Sequence, residues 1–107
     1  TGNKNYKTKA NAYNNLGVIH RQQGMPDSAL TFYIQAQKYF ENLNDSEGLV
    51  KIFVNIGKVY FSMKEYDKAK KYYLNALDIS QIDLVSQNTR QWKFFQWTRS
   101  KLLVNVQ

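Results

Sequence analysis

The stretch YNNLGVIH, residues 13–20, decides the fold, because it returns 40 residues later as FVNIGKVY, residues 53–60. A second pair follows at the same separation, since ALTFYIQA, residues 29–36, matches AKKYYLNA, residues 69–76. Each matched position keeps its size class, large or small. Packing in a repeated environment requires that pattern. The chain therefore contains two copies of one structural unit.

Apolar residues within each copy recur at helical spacing. Gly24 and Pro26 predict the end of one helix and the start of the next, and Asn44 and Glu47 are spaced as a capping box. Small residues, Gly17 with Ala29 and Gly57 with Ala69, allow paired helices to approach closely. We predict an all-α chain without strands, with helices over about residues 9–23, 26–43, 46–63, 66–80 and 86–106.

These motifs resemble a known family. The pattern Y-x-x-L-G-x-x-H from residue 13, followed by A-x-x-x-Y-x-x-A from residue 29, resembles the tetratricopeptide repeat signature, and the copy starting at residue 53 resembles it again. A 40-residue period exceeds the usual ~34 residues. Long repeats with Asn-Asn-Leu in the first helix are similar to those of kinesin light chains and of bacterial tetratricopeptide regulators.

The resemblance implies a right-handed superhelix of helix-turn-helix repeats, with two hairpins and a C-terminal capping helix. We predict a single domain over residues 1–107. Its first repeat covers about residues 10–43, its second about 46–80, and a capping or diverged helix about 84–106. Because an array usually needs about three repeats or more, we expect the chain to belong to a larger regulatory or sensor protein or to self-associate.

The resemblance also implies a function, which is to hold a peptide or helix of a partner protein in a concave groove. Asn15 and Asn55 are the strongest candidates, because a carboxamide can both donate to and accept from a peptide backbone. The alternative is that these side chains stabilise their own helix contacts or are solvated. The predicted groove residues are Asn11, Asn14, Asn15, Val18 and Arg21 in the first copy and Lys51, Val54, Asn55, Lys58 and Phe61 in the second.

Charge suggests the kind of partner. The chain has 15 Lys and Arg against 8 Asp and Glu, a formal charge of +7. Arg21, Lys51 and Lys58 would make the groove basic and favour an acidic ligand, unless they are ordinary solvated side chains.

The C-terminal segment carries apolar residues on two sides of its predicted helix, which predicts a second partner surface. The partner is then the next repeat of a longer protein, a second copy of the chain or a ligand, and our hypothesis is self-association. The alternative is a helix that bends under the array and hides both sides. Cations interleaved with aromatic residues also allow an alternative function, nucleic-acid binding by stacking and phosphate contact. The residues that we single out are Trp92, Phe94, Trp97 and Lys101.

Other function classes find little support in the residues. The chain has no Cys and one His, His20, which lies at a packing position, so paired-His or thiolate metal sites are excluded. No glycine-rich phosphate loop is present. We therefore predict no catalysis, cofactor or metal, and no membrane-spanning helix. A cysteine-free chain fits either side of a membrane, with the cytoplasm slightly favoured over an extracytoplasmic sensor domain.

Overall fold

The computed structural model describes the backbone of residues 2–87 and the side chains of residues 5–81. This part of the chain forms two antiparallel helical hairpins, as the all-α prediction required. In the first hairpin α1 packs along α2, in the second α3 packs along α4, and α2 joins the hairpins by packing on α3. The helices are α1 (Gly2–Gln22), α2 (Pro26–Asn42), α3 (Ser46–Ser62) and α4 (Tyr66–Gln87).

Two predicted helix boundaries are wrong. Helix α1 begins at Gly2 rather than near residue 9, because tertiary contacts hold its first turns, including the ring of Tyr6 at 5.2 Å from that of Tyr39. Helix α4 continues to Gln87 rather than ending near residue 80, and no Gly or Pro interrupts it. The start of the predicted fifth helix therefore falls within α4. Residues 88–107 lie outside the described part of the chain.

The three turns between these helices share one backbone geometry. Each contains a residue with positive φ: Gly24 at 74°, Asn44 at 51° and Lys64 at 63°. The N–H of each donates to a carbonyl three residues back, and the following N–H donates to a carbonyl five residues back. This is the Schellman arrangement that ends a helix in a left-handed residue.

The predicted capping box at Asn44 and Glu47 is wrong. Asn44 adopts the positive φ of the turn and does not cap α3. The N-cap is Asp45, whose carboxylate accepts a hydrogen bond of 3.0 Å from the backbone N–H of Gly48. Sequence spacing missed this because Asn and Asp are both good N-caps. The backbone geometry of the turn determines which of the two neighbouring residues, Asn44 or Asp45, caps the helix.

We expect Lys64→Gly to raise the free energy of unfolding by about 0.5–1 kcal/mol. An L side chain in the left-handed region costs about 1–2 kcal/mol, and glycine avoids this cost. Glycine loses more conformational entropy on folding, however, and this offsets part of the gain in stability. Urea unfolding measures the change. Gly24→Ala is the matched control, because a Cβ there meets no atom within 4 Å, and it should lower stability by about 1 kcal/mol. A Lys64→Gly chain less stable than the wild type would contradict this account of the turn.

Each hairpin contains a half-buried aromatic triplet at the same relative positions, beside its buried core. In the first hairpin, Phe32 of α2 packs between Tyr13, at 6.2 Å between ring centroids, and His20, at 4.9 Å. His20 therefore fills a packing position, as its place in the repeat predicts. In the second hairpin Tyr72 packs between Phe53 and Tyr60, at 6.0 and 5.6 Å.

Close helix approach in each hairpin depends on a glycine that faces a tyrosine ring. A Cβ placed on Gly17 would lie 2.5 Å from ring atoms of Tyr33, and one placed on Gly57 would lie 2.5 Å from the ring of Tyr73. These distances are far inside van der Waals contact. The two glycines are packing residues, as the size pattern predicts.

The junction between the hairpins has its own core. Phe40 of α2 is fully buried, and a Cβ on Gly48 of α3 would collide with its ring. The buried side chains of Ile52, Ile56 and Val59 complete this junction along α3. The repeat pattern did not reveal Gly48, because residue 88, its equivalent 40 residues on, is Asn.

An ion pair ties α1 to the start of α3. The ammonium group of Lys7 donates to the second carboxylate oxygen of Asp45. That hydrogen bond, together with the one from the Gly48 N–H, holds the pKa of Asp45 below its ordinary value of 3.8. A carboxylate whose folded pKa is lowered contributes stability above its unfolded pKa and loses that contribution as the pH falls.

Asp45→Asn should therefore lower the free energy of unfolding by about 0.5–1 kcal/mol at pH 7, a small value because Lys7 is largely exposed. Asparagine keeps the N-cap, so the difference from wild type isolates the charge. The difference should shrink as the pH falls below 3.8 through the lowered folded pKa. Urea unfolding between pH 7 and pH 2 measures it, and a difference that stays constant over this range would contradict the assignment.

Candidate functional site

Helices α1 and α3 meet at a pair of asparagines. The Nδ2 group of Asn55 donates to Oδ1 of Asn14 over 2.7 Å, and the two side chains are only 9% and 8% exposed. A buried amide needs such a partner, because an unsatisfied polar group costs free energy. This pairing corresponds to the alternative interpretation of Asn55, in which the side chain stabilises a helix contact.

The other predicted groove residues lie beside this pair, on a surface that we call the α1–α3 face. On α1, Asn11 and Val18 lie three residues before and four after Asn14. On α3, Lys51 and Lys58 lie four residues before and three after Asn55, so each set shares one side of its helix. Asn11, Lys51, Lys58 and Phe61 are exposed, whereas Val18, Arg21 and Val54 are half-buried. The face consists of Asn11, Asn14, Asn15, Val18, Arg21, Lys51, Val54, Asn55, Lys58 and Phe61.

Asn15 also lies on this face. It is four residues after Asn11 and three before Val18, so it shares their side of α1, and it is exposed. Although Asn15 and Asn55 are equivalent in sequence, the structure gives them different surroundings. Asn55 is paired with Asn14, whereas Asn15 is exposed on the α1–α3 face.

The α1–α3 face carries positive charge. Among residues 5–81, the ion pairs are Lys7 with Asp45 and Lys68 with Glu65, so Lys58 has no ion-pair partner there. Lys51 is close enough to Asp45 to contribute to the lowering of its pKa. The Nε atom of Arg21 is buried and makes no hydrogen bond.

Two aromatic rings end this face at the turn between α3 and α4. The rings of Phe61 and Tyr66 meet edge to face, with centroids 5.2 Å apart and planes at 66°. Sequence reasoning placed Phe61 in the groove but missed Tyr66. A comparison of the two copies could have identified Tyr66, because its equivalent in the first copy is Pro26 and the equivalent of Phe61 is Arg21.

The described side chains contain no cluster of three or more His, Asp or Glu that could hold a metal ion. Within the described helices, none is long and apolar enough to cross a membrane. The predicted C-terminal surface, with Trp92, Phe94, Trp97 and Lys101, lies outside the described residues, and so do the self-association and nucleic-acid binding assigned to it.

Comparison with known proteins agrees with the geometry. A family model described as tetratricopeptide repeat matches residues 8–82, which cover most of both hairpins. No curated protein and no solved structure matches the chain significantly.

Proposed function

The chain belongs to the tetratricopeptide repeat family, and from that premise we propose that its α1–α3 face binds an extended acidic peptide segment of a partner protein. Tetratricopeptide repeats are generally protein–protein interaction modules, and the family is typically a non-catalytic scaffold. The partner's acidity and the place where it binds are the new elements of this proposal.

The observation that carries the proposal is the exposure of Lys51 and Lys58 on one side of α3. They lie seven residues apart, two helical turns or roughly 10 Å, which is about the length of three extended peptide residues. Helix packing does not require them, since Ile52, Ile56 and Val59 form the buried side of α3. Two exposed cations at this spacing favour an extended chain that carries several carboxylates along its length.

The neighbouring polar groups fit the same ligand. Asn11 is exposed on α1 across from the lysines, and its carboxamide can donate to and accept from a peptide backbone. The buried pair Asn14 and Asn55 holds the two helices together beneath the face. A rigid base of this kind reduces the entropy lost on binding.

The experiment is isothermal titration of a capped 12-residue peptide of alternating Asp and Ser. The double variant Lys51→Ala/Lys58→Ala should bind it about tenfold more weakly than wild type, since each exposed charge contact is worth up to about 1 kcal/mol. The matched control is Lys38→Ala/Lys71→Ala, which removes the same charge from exposed positions of α2 and α4.

The control variant should bind within about twofold of wild type. Equal weakening in both double variants would mean that the peptide senses only net charge, and this would overturn the assignment to the α1–α3 face. Absence of binding to wild type at low salt, where charge contacts are strongest, would overturn the acidic ligand as well.

A further inference from the structure

Two exposed aromatic side chains are held together at the turn between α3 and α4. Phe61 is 57% exposed and Tyr66 is 54% exposed, although their rings contact each other edge to face. The first hairpin has Arg21 and Pro26 at these positions, so the hairpin fold requires an aromatic residue at neither. Exposed aromatic surface of this kind is typical of binding sites.

Phe61 lies on the same side of α3 as Lys51 and Lys58, beyond Lys58 toward the end of the helix. It lies three residues after Lys58 and so shares its side of α3. An extended ligand that runs along Lys51 and Lys58 therefore reaches Phe61 next. The aromatic pair stands at one end of the α1–α3 face.

The charges at the turn indicate what this end would accept. An open surface cavity of about 380 Å³ lies beside Tyr66 and is lined by residues 64–68. The carboxylates of Glu65 and Asp67 are balanced there by the ammonium groups of Lys64 and Lys68, and Glu65 pairs with Lys68 at 3.8 Å. This end of the face therefore offers a ligand carboxylate no net positive charge, and its exposed rings favour an uncharged aromatic group.

We infer that Phe61 and Tyr66 form a subsite for an aromatic side chain that follows the acidic run of the peptide. This inference rests on the proposed function, because it places the subsite on the same ligand. A third ring can pack against the exposed face of Phe61 or the edge of Tyr66 in the geometries that aromatic groups prefer. The subsite therefore selects among acidic peptides.

The test compares two capped probe peptides by isothermal titration. One has alternating Asp and Ser followed by Gly and Phe, and the other has Ser in place of the Phe. Wild type should bind the Phe probe about tenfold more tightly than the Ser probe. Phe61→Ala should remove this preference, so that the variant binds the two probes within about twofold of each other. Because Phe61 is exposed on a helix, the variant should fold, and circular dichroism checks that it does.

The matched control is Ile34→Ala, which truncates an exposed apolar side chain of α2 and should keep the tenfold preference. Equal, lysine-dependent affinity of wild type for both probes would overturn the subsite and leave the proposed function standing. A preference that survives Phe61→Ala would also overturn the subsite. Failure of both probes to bind wild type would overturn the proposed function and the subsite together.

Discussion

Gly17→Ala is expected to lower the free energy of unfolding by about 2–3 kcal/mol. The new Cβ would lie 2.5 Å from ring atoms of Tyr33, and that ring is fully buried, so it has no space into which to move. Overpacking of this depth costs about 3 kcal/mol or more. The better helix propensity of alanine offsets about 1 kcal/mol of this cost, so the free energy of unfolding still falls.

Gly57→Ala is the internal comparison. The Cβ would approach the ring of Tyr73 equally closely, but Tyr73 is 36% exposed and its ring can swing outward. We expect a loss of about 1 kcal/mol or less. Urea unfolding of both variants measures the difference, and Tyr33→Leu should relieve part of the Gly17→Ala cost. Equal losses at Gly17 and Gly57, or no relief by Tyr33→Leu, would contradict the packing account.

Asn55→Leu is expected to lower the free energy of unfolding by about 2 kcal/mol, because it leaves the buried carbonyl of Asn14 without its donor. Removing one partner of a buried hydrogen bond costs about 1–3 kcal/mol, whereas replacing both by apolar groups is nearly neutral. Asn14→Leu should therefore cost a similar amount. The double variant should be within about 1 kcal/mol of wild type.

A double-mutant cycle measures this coupling. The matched control is Asn15→Leu, which changes the same residue type one position away at an exposed site and should alter stability by less than about 0.5 kcal/mol. Additive losses at Asn14 and Asn55 would mean that their hydrogen bond does not stabilise the contact between α1 and α3.

Local signals made most of the fold predictable. Pro26 and the turn before Ser46 define where α2 and α3 begin, and both predictions agree with the structure. The early start of α1 could not be predicted, because residues 2–9 show no apolar periodicity. Its stability comes from distant partners, namely Tyr39 and Asp45.

The candidate site was predictable only in part, because repeated sequence does not mean repeated surroundings. Leu16 is 38% exposed, whereas Ile56, its equivalent 40 residues on, is 1% exposed. In the second hairpin this side of the helix packs on the first hairpin, and no described residue covers it in α1. The same asymmetry exposes Asn15 and buries Asn55. A pattern of equivalent positions cannot show which neighbour each copy has.

The most direct test of the central claim is an NMR map of the acidic peptide on the uniformly ¹⁵N-labelled chain. We predict that backbone amide shifts change in a saturable way along α1 and α3, around Asn11, Lys51 and Lys58. Amides on the outer side of α2, such as that of Ile34, should stay in place. Shifts concentrated on α2 or on the segment after residue 87, with α1 and α3 unchanged, would contradict the claim that the α1–α3 face is the binding surface.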